Sequence, residues 1–422
     1  MKTMYLCTLG CKVNSYETEA IGLELSSKGY TRIKDSNCAD LIIVNTCSVT
    51  ARADQKSRQH ISSFRKGNCH SILVVMGCYS QQHGQICLDL GADIVIGAKG
   101  RNKILSYIEQ FEKSHEKILD VSKSLRHEAY EDLGQTVYCE NARAYLKIQD
   151  GCDNFCSYCY IPTLRGNSRS REPREIINEA MNLVASNYKE IVITGIHIGA
   201  YGKDLGDGSF RFADLLEAIL NKCPSLYRLR ISSIEESEID DHFIKLLQRF
   251  PNIANHLHIP LQSGSASVLK DMKRHYDTDA FLEKLCKIRA VRPDIALTTD
   301  VIVGYPTETE EHFLETLQFC KKARFYQIHV FPFSSRPGTF ASTLKDIDPK
   351  IKKDRVNRLL ALSKELEKEY EARFDGQEFE VLIEDQDKVS KQWRGHTSNY
   401  LMIASSDHNL THGDIIKATF KV

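Results

Sequence analysis

Three cysteines of this 422-residue chain lie close together at the spacing CxxxCxxC, namely Cys152, Cys156 and Cys159. An apolar run at residues 145–148 precedes them and predicts a strand that ends just before the first cysteine. Thiolates are the usual protein ligands of iron–sulfur clusters, and three on one loop can bind three irons of a [4Fe–4S] cubane, leaving the fourth iron open. One alternative is a zinc site, but zinc needs a fourth ligand, and no second CxxC or histidine pair follows. The other alternative is three unrelated core thiols.

The amino-terminal part, residues 1–125, is expected to fold into a sheet of its own, because apolar strand patterns alternate there with helical patterns. The predicted strands are 4–9, 41–45, 72–76 and 93–96. This alternation favours a parallel, doubly wound α/β sheet of the flavodoxin-like type. Asn14 is expected to cap the first helix, with Glu17 three residues later as its capping-box partner.

That sheet would place a second group of cysteines. Cys11, Cys47 and Cys78 follow the first, second and third predicted strands, and the carboxyl ends of parallel strands meet at one edge. Right-handed crossovers would bring the three loops together, so we expect a second [4Fe–4S] site with three thiolates. The alternative is chance placement in loops, since no local spacing links these cysteines. The other cysteines of the region are expected to be buried as small hydrophobic residues: Cys7, Cys38, Cys69 and Cys87.

The central part, residues 138–360, carries six apolar strand patterns separated by helical ones. The predicted strands are 144–149, 190–195, 227–232, 256–261, 297–303 and 327–331. Six βα units favour a partial (βα)6 barrel, in which chemistry takes place at the carboxyl ends of the strands. The CxxxCxxC loop follows the first of these strands, in agreement with that architecture.

The CxxxCxxC spacing resembles the signature of radical-SAM enzymes. In those enzymes the open iron binds S-adenosylmethionine (SAM), and the reduced cluster splits it into methionine and a 5′-deoxyadenosyl radical. Small or polar residues follow the later barrel strands and are predicted to line a SAM pocket: Gly195, Ser232, Ser233, Gln262 and Gly304. An ordinary role in turns is the alternative for each of them. His197, His256 and His258 are interpreted as hydrogen-bonded structural residues.

An arginine run follows the cluster loop and includes Arg165, Arg169 and Arg171. Such runs are usually solvated faces. This one borders the expected active site, so the sequence predicts contact with RNA phosphates.

The C-terminal part, residues 375–422, shows short alternating strands, which favour a small β-barrel. Trp393, Arg394 and Tyr400 interleave basic and aromatic side chains, a pattern that suits stacking on unpaired bases. An oligomerisation surface or a structural cap is the alternative.

Composition is that of an ordinary globular protein, with 42% hydrophobic and 27% charged residues. The 56 basic and 56 acidic residues cancel, so net charge does not indicate a nucleic-acid partner. No apolar run approaches the ~20 residues that span a bilayer, and the N-terminus lacks the apolar core of a signal peptide. We therefore expect no membrane contact and a cytoplasmic location. In a reducing compartment, 14 cysteines indicate metal ligands and buried thiols more than disulfides.

The ordered set of motifs resembles the radical-SAM methylthiotransferase family over essentially the whole chain, and within it the MtaB-type enzymes. Three motifs of the family's N-terminal domain are matched by TLGCKVNSYETEA, VNTCSVT and MGCYS. This resemblance identifies Cys11, Cys47 and Cys78 as ligands of an auxiliary cluster. The radical-SAM motif is matched by CDNFCSYCYIPTLRGNSRSR, with Tyr160 where an aliphatic residue is more usual. Further core motifs are matched by HIPLQSGS, DVIVGYPTETEEHF and FPFSSRPGTFAS, and the tail from about Gly376 resembles an RNA-binding TRAM domain.

The resemblance implies two [4Fe–4S] clusters and SAM as cofactors. One SAM would methylate sulfur carried by the auxiliary cluster, and a radical from a second SAM would take hydrogen from C2 of an adenine, where the methylthio group is delivered. The implied substrate is N6-threonylcarbamoyladenosine (t6A) at position 37, beside the anticodon in the tRNA anticodon stem-loop. An external electron donor and a sulfur donor are implied but not identified. No residue is assigned as a general base, because the cofactors carry the difficult step.

Two alternatives to this function stay open at the level of sequence. Related enzymes of the same chemistry act on isopentenyl-adenosine in tRNA or on an aspartate of ribosomal protein S12, and a TRAM domain does not separate these substrates. A non-enzymatic iron–sulfur RNA-binding protein, acting as an electron carrier or sensor, would hold two clusters without turning over SAM.

Overall fold

The computed structural model describes residues 2–126, 128–134 and 142–422. The strands in these residues are β1 (Thr3–Thr8), β2 (Thr31–Arg32), β3 (Leu41–Thr46), β4 (Ile72–Gly77), β5 (Ile94–Ile96), β6 (Ile118–Asp120), β7 (Arg143–Lys147), β8 (Gln149–Asp150), β9 (Arg169–Ser170), β10 (Glu190–Thr194), β11 (Arg228–Ile231), β12 (His256–His258), β13 (Ala296–Val303), β14 (Gln327–Pro332), β15 (Glu378–Gln386), β16 (Trp393–His396), β17 (Met402–Ser405) and β18 (Ile415–Thr419). The α-helices are α1 (Lys12–Ser27), α2 (Ala51–Gly67), α3 (Cys78–Asp89), α4 (Ile104–Ser114), α5 (Ile161–Arg165), α6 (Pro173–Ala185), α7 (Phe212–Lys222), α8 (Asp241–Arg249), α9 (Ala266–Asp271), α10 (Thr278–Val291), α11 (Glu310–Ala323) and α12 (Pro349–Ala372).

The chain forms two compact units. The first comprises residues 1–137, 149–154 and 159–171, and the second comprises residues 138–148, 155–158 and 172–422. The first unit is therefore built from three separate stretches of sequence. The boundary expected at residue 138 lies outside the described residues.

The main sheet of the first unit has six parallel strands in the order β2-β1-β3-β4-β5-β6. This order confirms the predicted doubly wound sheet. Strand β3 is buried at every position because helices cover both faces of the sheet. Leu41 and Ile43 pack with residues of α1 and α4, whereas Ile42 and Val44 pack with residues of α2 and α3. Segments 149–154 and 159–171 complete the unit with the antiparallel pair β8-β9 and helix α5.

Helix α1 begins three residues earlier than the sequence predicts. Cys11 is its N-cap residue, and the preceding Gly10, at φ +101°, turns the chain so that helical geometry starts at once. Asn14 lies buried inside the helix, where its Nδ2 donates to the carbonyl oxygens of Leu9 and Thr46 at 2.7 and 3.1 Å. The predicted capping role of Asn14 is therefore wrong.

The cysteines outside the proposed metal sites of the first unit divide into two groups. Cys87 is buried and Cys7 is partly buried, as expected for small hydrophobic side chains. Cys38 and Cys69 are exposed, so the prediction was wrong for them. Both lie in surface turns that lead into strands rather than in the strands themselves.

The second unit contains six parallel strands that follow one another in chain order. Two three-stranded sheets, β7-β10-β11 and β12-β13-β14, are joined by bridges from Leu229 to Ile253 and from Ser233 to His258. This arrangement confirms the predicted partial barrel. Helix α12 then leads to a four-stranded antiparallel sheet, β17-β16-β15-β18, consistent with the predicted small β-domain. None of the helices described here combines the length and the apolar character needed to cross a bilayer.

Candidate metal centre

Cys11, Cys47 and Cys78 lie at the carboxyl ends of three neighbouring strands, β1, β3 and β4. Cys11 precedes α1, Cys47 directly follows β3, and Cys78 is the first residue of α3. Because these strands are adjacent and parallel, the three loops leave the sheet at the same edge. Open α/β sheets bind their ligands at this edge.

Gly10 brings the first of these loops against the second. A Cβ atom on Gly10 would lie 2.8 Å from Cβ and 2.9 Å from Sγ of Cys47, which is closer than side-chain atoms approach one another. The positive φ of Gly10 further disfavours any other residue. The backbone beside Cys11 is thus in van der Waals contact with the Cys47 side chain.

Burial and neighbouring charges both act on Cys47 and Cys78. Burial raises the pKa of Cys47 and raises the pKa of Cys78 to about 11; Arg165 opposes the rise, and the other thiols add to it. Cys47 and Cys78 therefore lie close enough to Arg165 for its charge to act on both thiols. A set of three sulfur ligands suits iron–sulfur clusters, whose irons bind thiolates. The residues present therefore fit a [4Fe–4S] cluster with one open iron.

Arg165, at the end of α5, is the cationic neighbour of these thiols. Its Nε donates to Cys78 Sγ at 3.4 Å, and its Nη2 donates to Asn14 Oδ1 at 2.6 Å. Its Nη1 donates to Glu17 Oε1 at 2.6 Å and to both oxygens of Asp150 at 3.2 Å. The side chain is only 1% exposed. The predicted phosphate contact by Arg165 is corrected, because all of its donor nitrogens face protein partners.

Arg169 and Arg171 are also buried, so the arginine run does not form the basic surface that the sequence predicts. Arg169 Nη1 donates to the carbonyl oxygen of Leu125 at 3.3 Å, and Arg171 Nη1 donates to the Tyr16 hydroxyl at 3.2 Å. These side chains fix segment 159–171 within the first unit. The predicted phosphate contacts of Arg169 and Arg171 are therefore corrected, because neither guanidinium is exposed.

Cys152 and Cys159 belong to the first unit, and Cys156 belongs to the second. In the first unit, the Cys152 amide donates to the carbonyl oxygen of Gly166 at 3.1 Å, and Cys152 Sγ accepts from the Asn154 amide at 3.5 Å. In the second unit, Arg274 Nη1 donates to Cys156 Sγ at 3.4 Å. Each proposed cluster thus has a cysteine that accepts from an arginine, a feature that sequence spacing alone did not indicate.

The residues predicted for a SAM pocket all follow barrel strands of the second unit. Gly195 follows β10, Ser232 and Ser233 follow β11, Gln262 lies beyond β12, and Gly304 follows β13. Ser232 Oγ is buried and has no hydrogen-bond partner in the part of the chain described. A buried hydroxyl of this kind is what a bound polar ligand would satisfy. In contrast, a Cβ on Gly304 would lie 2.5 Å from Lys352 Cγ. The absence of a side chain at Gly304 therefore leaves space for the Lys352 side chain.

The three singled-out histidines all have polar neighbours, and one belongs to a larger cluster. His197 Nε2 lies 3.4 Å from Glu238, and His256 Nε2 lies 3.1 Å from Thr298 Oγ1. His258 Nε2 lies 3.2 Å from Asp300 Oδ1, which is also 3.2 Å from His329 Nδ1. The sequence did not indicate this last cluster, because its members come from three different strands.

Tyr400 packs within the second unit instead of being free to stack on a base. Its ring stacks on His256 at 4.3 Å and on His396 at 4.7 Å between ring centroids, with Arg230 5.0 Å from the ring centre. The Tyr400 ring therefore has no open face for the predicted stacking on a base. Arg394 is exposed and paired with Asp385 at 2.8 Å.

A buried carboxylate, Glu190, joins the barrel to the C-terminal sheet through three arginines. Its oxygens lie 2.8 Å from Arg143 Nε, 3.0 Å from Arg228 Nη1 and 2.7 Å from Arg230 Nε. The same arginines extend to the C-terminal sheet, where they contact the Glu384 carboxylate and the carbonyl oxygens of His396 and Thr397.

Comparison with known proteins agrees with this architecture. The family described as "Uncharacterized protein family UPF0004" matches residues 3–97, and the radical SAM superfamily matches residues 146–320. The solved structure of the radical S-adenosylmethionine methyltransferase TsrM from Kitasatospora setae, with cobalamin and a [4Fe-4S] cluster, has a TM-score of 0.62. That match covers 81% of this chain and 77% of TsrM at 14% identity, so the likeness concerns the fold alone.

Curated relatives are more similar in sequence. The Bacillus subtilis (strain 168) protein named threonylcarbamoyladenosine tRNA methylthiotransferase MtaB is 43% identical, over 99% of this chain and 93% of its own length. A Bacillus velezensis protein named tRNA-2-methylthio-N(6)-dimethylallyladenosine synthase is 34% identical, over 92% of this chain and 77% of its own length. The chain belongs to the radical-SAM methylthiotransferase family of enzymes, and within it to the MtaB-type members.

Proposed function

We propose that this enzyme converts t6A at position 37 of tRNA to 2-methylthio-t6A. The observation that carries the proposal is the set of three thiols, Cys11, Cys47 and Cys78, at one edge of the first sheet. A chain that needed only SAM cleavage would have no use for them. The names of the MtaB-type relatives support t6A as the substrate, and the greater identity to them disfavours isopentenyl-adenosine.

Each domain has a part in this proposal. Residues 1–125 would hold an auxiliary [4Fe–4S] cluster through Cys11, Cys47 and Cys78. Residues 138–360 would hold the radical-SAM cluster through Cys152, Cys156 and Cys159. Residues 375–422, as a TRAM domain, would bind the anticodon stem-loop, with Trp393 and Arg394 as its proposed contacts.

When bound, the two clusters and SAM supply reductive radical formation at one site and a methylated sulfur at the other. The chain's own residues bind and orient. Arg274 and Arg165 donate to cysteine sulfurs, and Ser232 presents a buried hydroxyl with no partner among the described residues. Gly195, Ser233 and Gln262 are proposed to complete the SAM pocket. No side chain is required as a general base.

The test is anaerobic incubation of the reconstituted full chain with SAM, dithionite as electron donor, sulfide as sulfur donor, and tRNA carrying t6A. Mass spectrometry of the digested nucleosides should reveal 2-methylthio-t6A, and tRNA carrying isopentenyl-adenosine should remain unchanged. The triple variant C152A/C156A/C159A is the matched control and should form neither product nor 5′-deoxyadenosine. If only the isopentenyl-adenosine tRNA were modified, the substrate would be isopentenyl-adenosine and not t6A.

A further inference from the structure

Arg165 is among the most deeply buried cations of the first unit, yet it is not needed to bind any proposed cofactor directly. Its guanidinium meets two carboxylates, Glu17 and Asp150, that are themselves buried. Glu17 is shared with a second buried arginine, Arg101, whose Nη1 lies 2.5 Å from Glu17 Oε2. Arg101 Nη2 also pairs with Glu131 at 2.9 Å. Such networks hold charge in a fixed place, because removing one member leaves another buried and unpaired.

Only one of the two arginines points a donor at sulfur. Arg165 Nε donates to Cys78 Sγ at 3.4 Å, while its Nη2 holds Asn14, whose Oδ1 lies 3.7 Å from Cys11 Sγ. Arg101 contacts Glu17, Glu131 and Asp150, and within the described residues it has no hydrogen bond to a cysteine. The two side chains are equally buried and share carboxylates, so they form a natural matched pair.

We propose that Arg165 is a positioning residue for the auxiliary cluster, which it holds through Cys78 and whose reduction potential it raises. The inference rests on the auxiliary cluster of the proposed function. A reduced cluster carries one more negative charge than an oxidised one. A fixed cation that donates a hydrogen bond to a ligand sulfur stabilises the reduced form more, which raises the potential.

The geometry explains why the residue is arginine. The planar guanidinium offers donors in fixed directions, so one edge can bind carboxylates while Nε–H faces sulfur. Lysine would keep the charge but place a single ammonium near Glu17 and Asp150, without a donor fixed toward Cys78. Loss of the sulfur contact can therefore be separated from loss of charge.

The experiment uses the full chain in a C152A/C156A/C159A background, so that only the auxiliary cluster contributes to the spectrum. R165K and the charge-balanced double variant R165Q/E17Q remove the donor to Cys78. R101K and R101Q/E131Q are the matched controls. Each protein is reconstituted anaerobically, its iron content and circular dichroism are recorded, and its reduction is titrated by electron paramagnetic resonance.

We expect both Arg165 variants to shift the midpoint potential to more negative values than the parent. The reduced-to-oxidised ratio at a given potential should fall about tenfold, or about 59 mV for one electron. The Arg101 variants should stay near the parent. Either of two results would overturn the inference and leave the proposed function intact. One is an unchanged potential in whichever Arg165 variant folds and retains iron. The other is an equal shift in the Arg101 variants. A parent background that binds no iron would instead overturn the auxiliary cluster itself.

Discussion

Replacement of Glu190 by Gln tests a buried charge cluster of the second unit. Glu190 is fully buried, and Arg143, Arg228 and Arg230 all contact its carboxylate. Because these arginines also reach the C-terminal sheet, the change should loosen the attachment of that sheet as well as the barrel. Glutamine has nearly the same shape, so the effect would come from lost charge.

The magnitude follows from the titration of Glu190. Burial alone would raise its pKa, but Arg230 and Arg143 reverse this effect and lower the pKa from 4.5 to about 2. A difference of about 2.5 pKa units corresponds to roughly 3 kcal/mol of folding stability at neutral pH. Removing one member of a buried ion pair also leaves the buried charge of its partner uncompensated by that member, at a cost of about 3–5 kcal/mol. We therefore expect E190Q to lower the free energy of unfolding by about 3–5 kcal/mol.

The sign of the pH dependence follows from the lowered pKa. The stability that Glu190 contributes is fully present above about pH 4.5 and is lost as the pH falls through about 2. Wild-type protein should lose this contribution on acidification, whereas E190Q should lack it at every pH. The difference between the two should therefore shrink below pH 4.5.

The chain carries a convenient reporter, because its single tryptophan, Trp393, lies in β16 of the C-terminal sheet. Urea unfolding followed by tryptophan fluorescence measures the stability of this region, and hydrogen exchange in β15 and β16 measures its opening. The control is E283Q, which removes an exposed carboxylate paired with Lys287 at 2.8 Å and should change neither signal. An E190Q midpoint equal to that of wild type, with unchanged exchange in these strands, would refute the reasoning.

Three further outcomes are expected. Cys78→Ala should reduce iron content to about half after reconstitution, because only one cluster is lost; unchanged iron would count against Cys78 as a ligand. Cys156→Ala should abolish release of 5′-deoxyadenosine from SAM while keeping the other half of the iron, and continued release would remove Cys156 from the radical-SAM cluster. Gly10→Ala should impair loading of the auxiliary cluster, because the added Cβ would collide with Cys47. The control is Gly29→Ala, which has a similar positive φ but open space around the added Cβ and should load normally. Equal loading of the two variants would contradict the close approach at Gly10.

The sequence predicted the doubly wound sheet of the first unit and the partial barrel of the second, because each follows from periodic apolar strands separated by helices. It also predicted that the loops carrying Cys11, Cys47 and Cys78 meet at one sheet edge, because right-handed crossovers bring such loops together. It did not predict the partners of buried charges. Arg165 and Glu17 are 148 residues apart in sequence, and locally each resembles a surface residue or a helix cap. Tyr400 was misinterpreted for the same reason, because the imidazole of His256 that covers it lies far away along the chain.

The composition of the first unit from three stretches has a consequence for its synthesis. Glu17 emerges from the ribosome long before Arg165, one of its two buried arginine partners in the folded protein. Translation proceeds at roughly 5–20 residues per second, so the nascent sheet must wait several seconds for the second cation of this network. A truncated gene ending near residue 137 would omit α5 and Asp150 altogether, and its product would leave Arg101 to pair with both Glu17 and Glu131 without the second cation of the network. Attempts to produce the amino-terminal domain alone should therefore extend the coding region at least to Arg171.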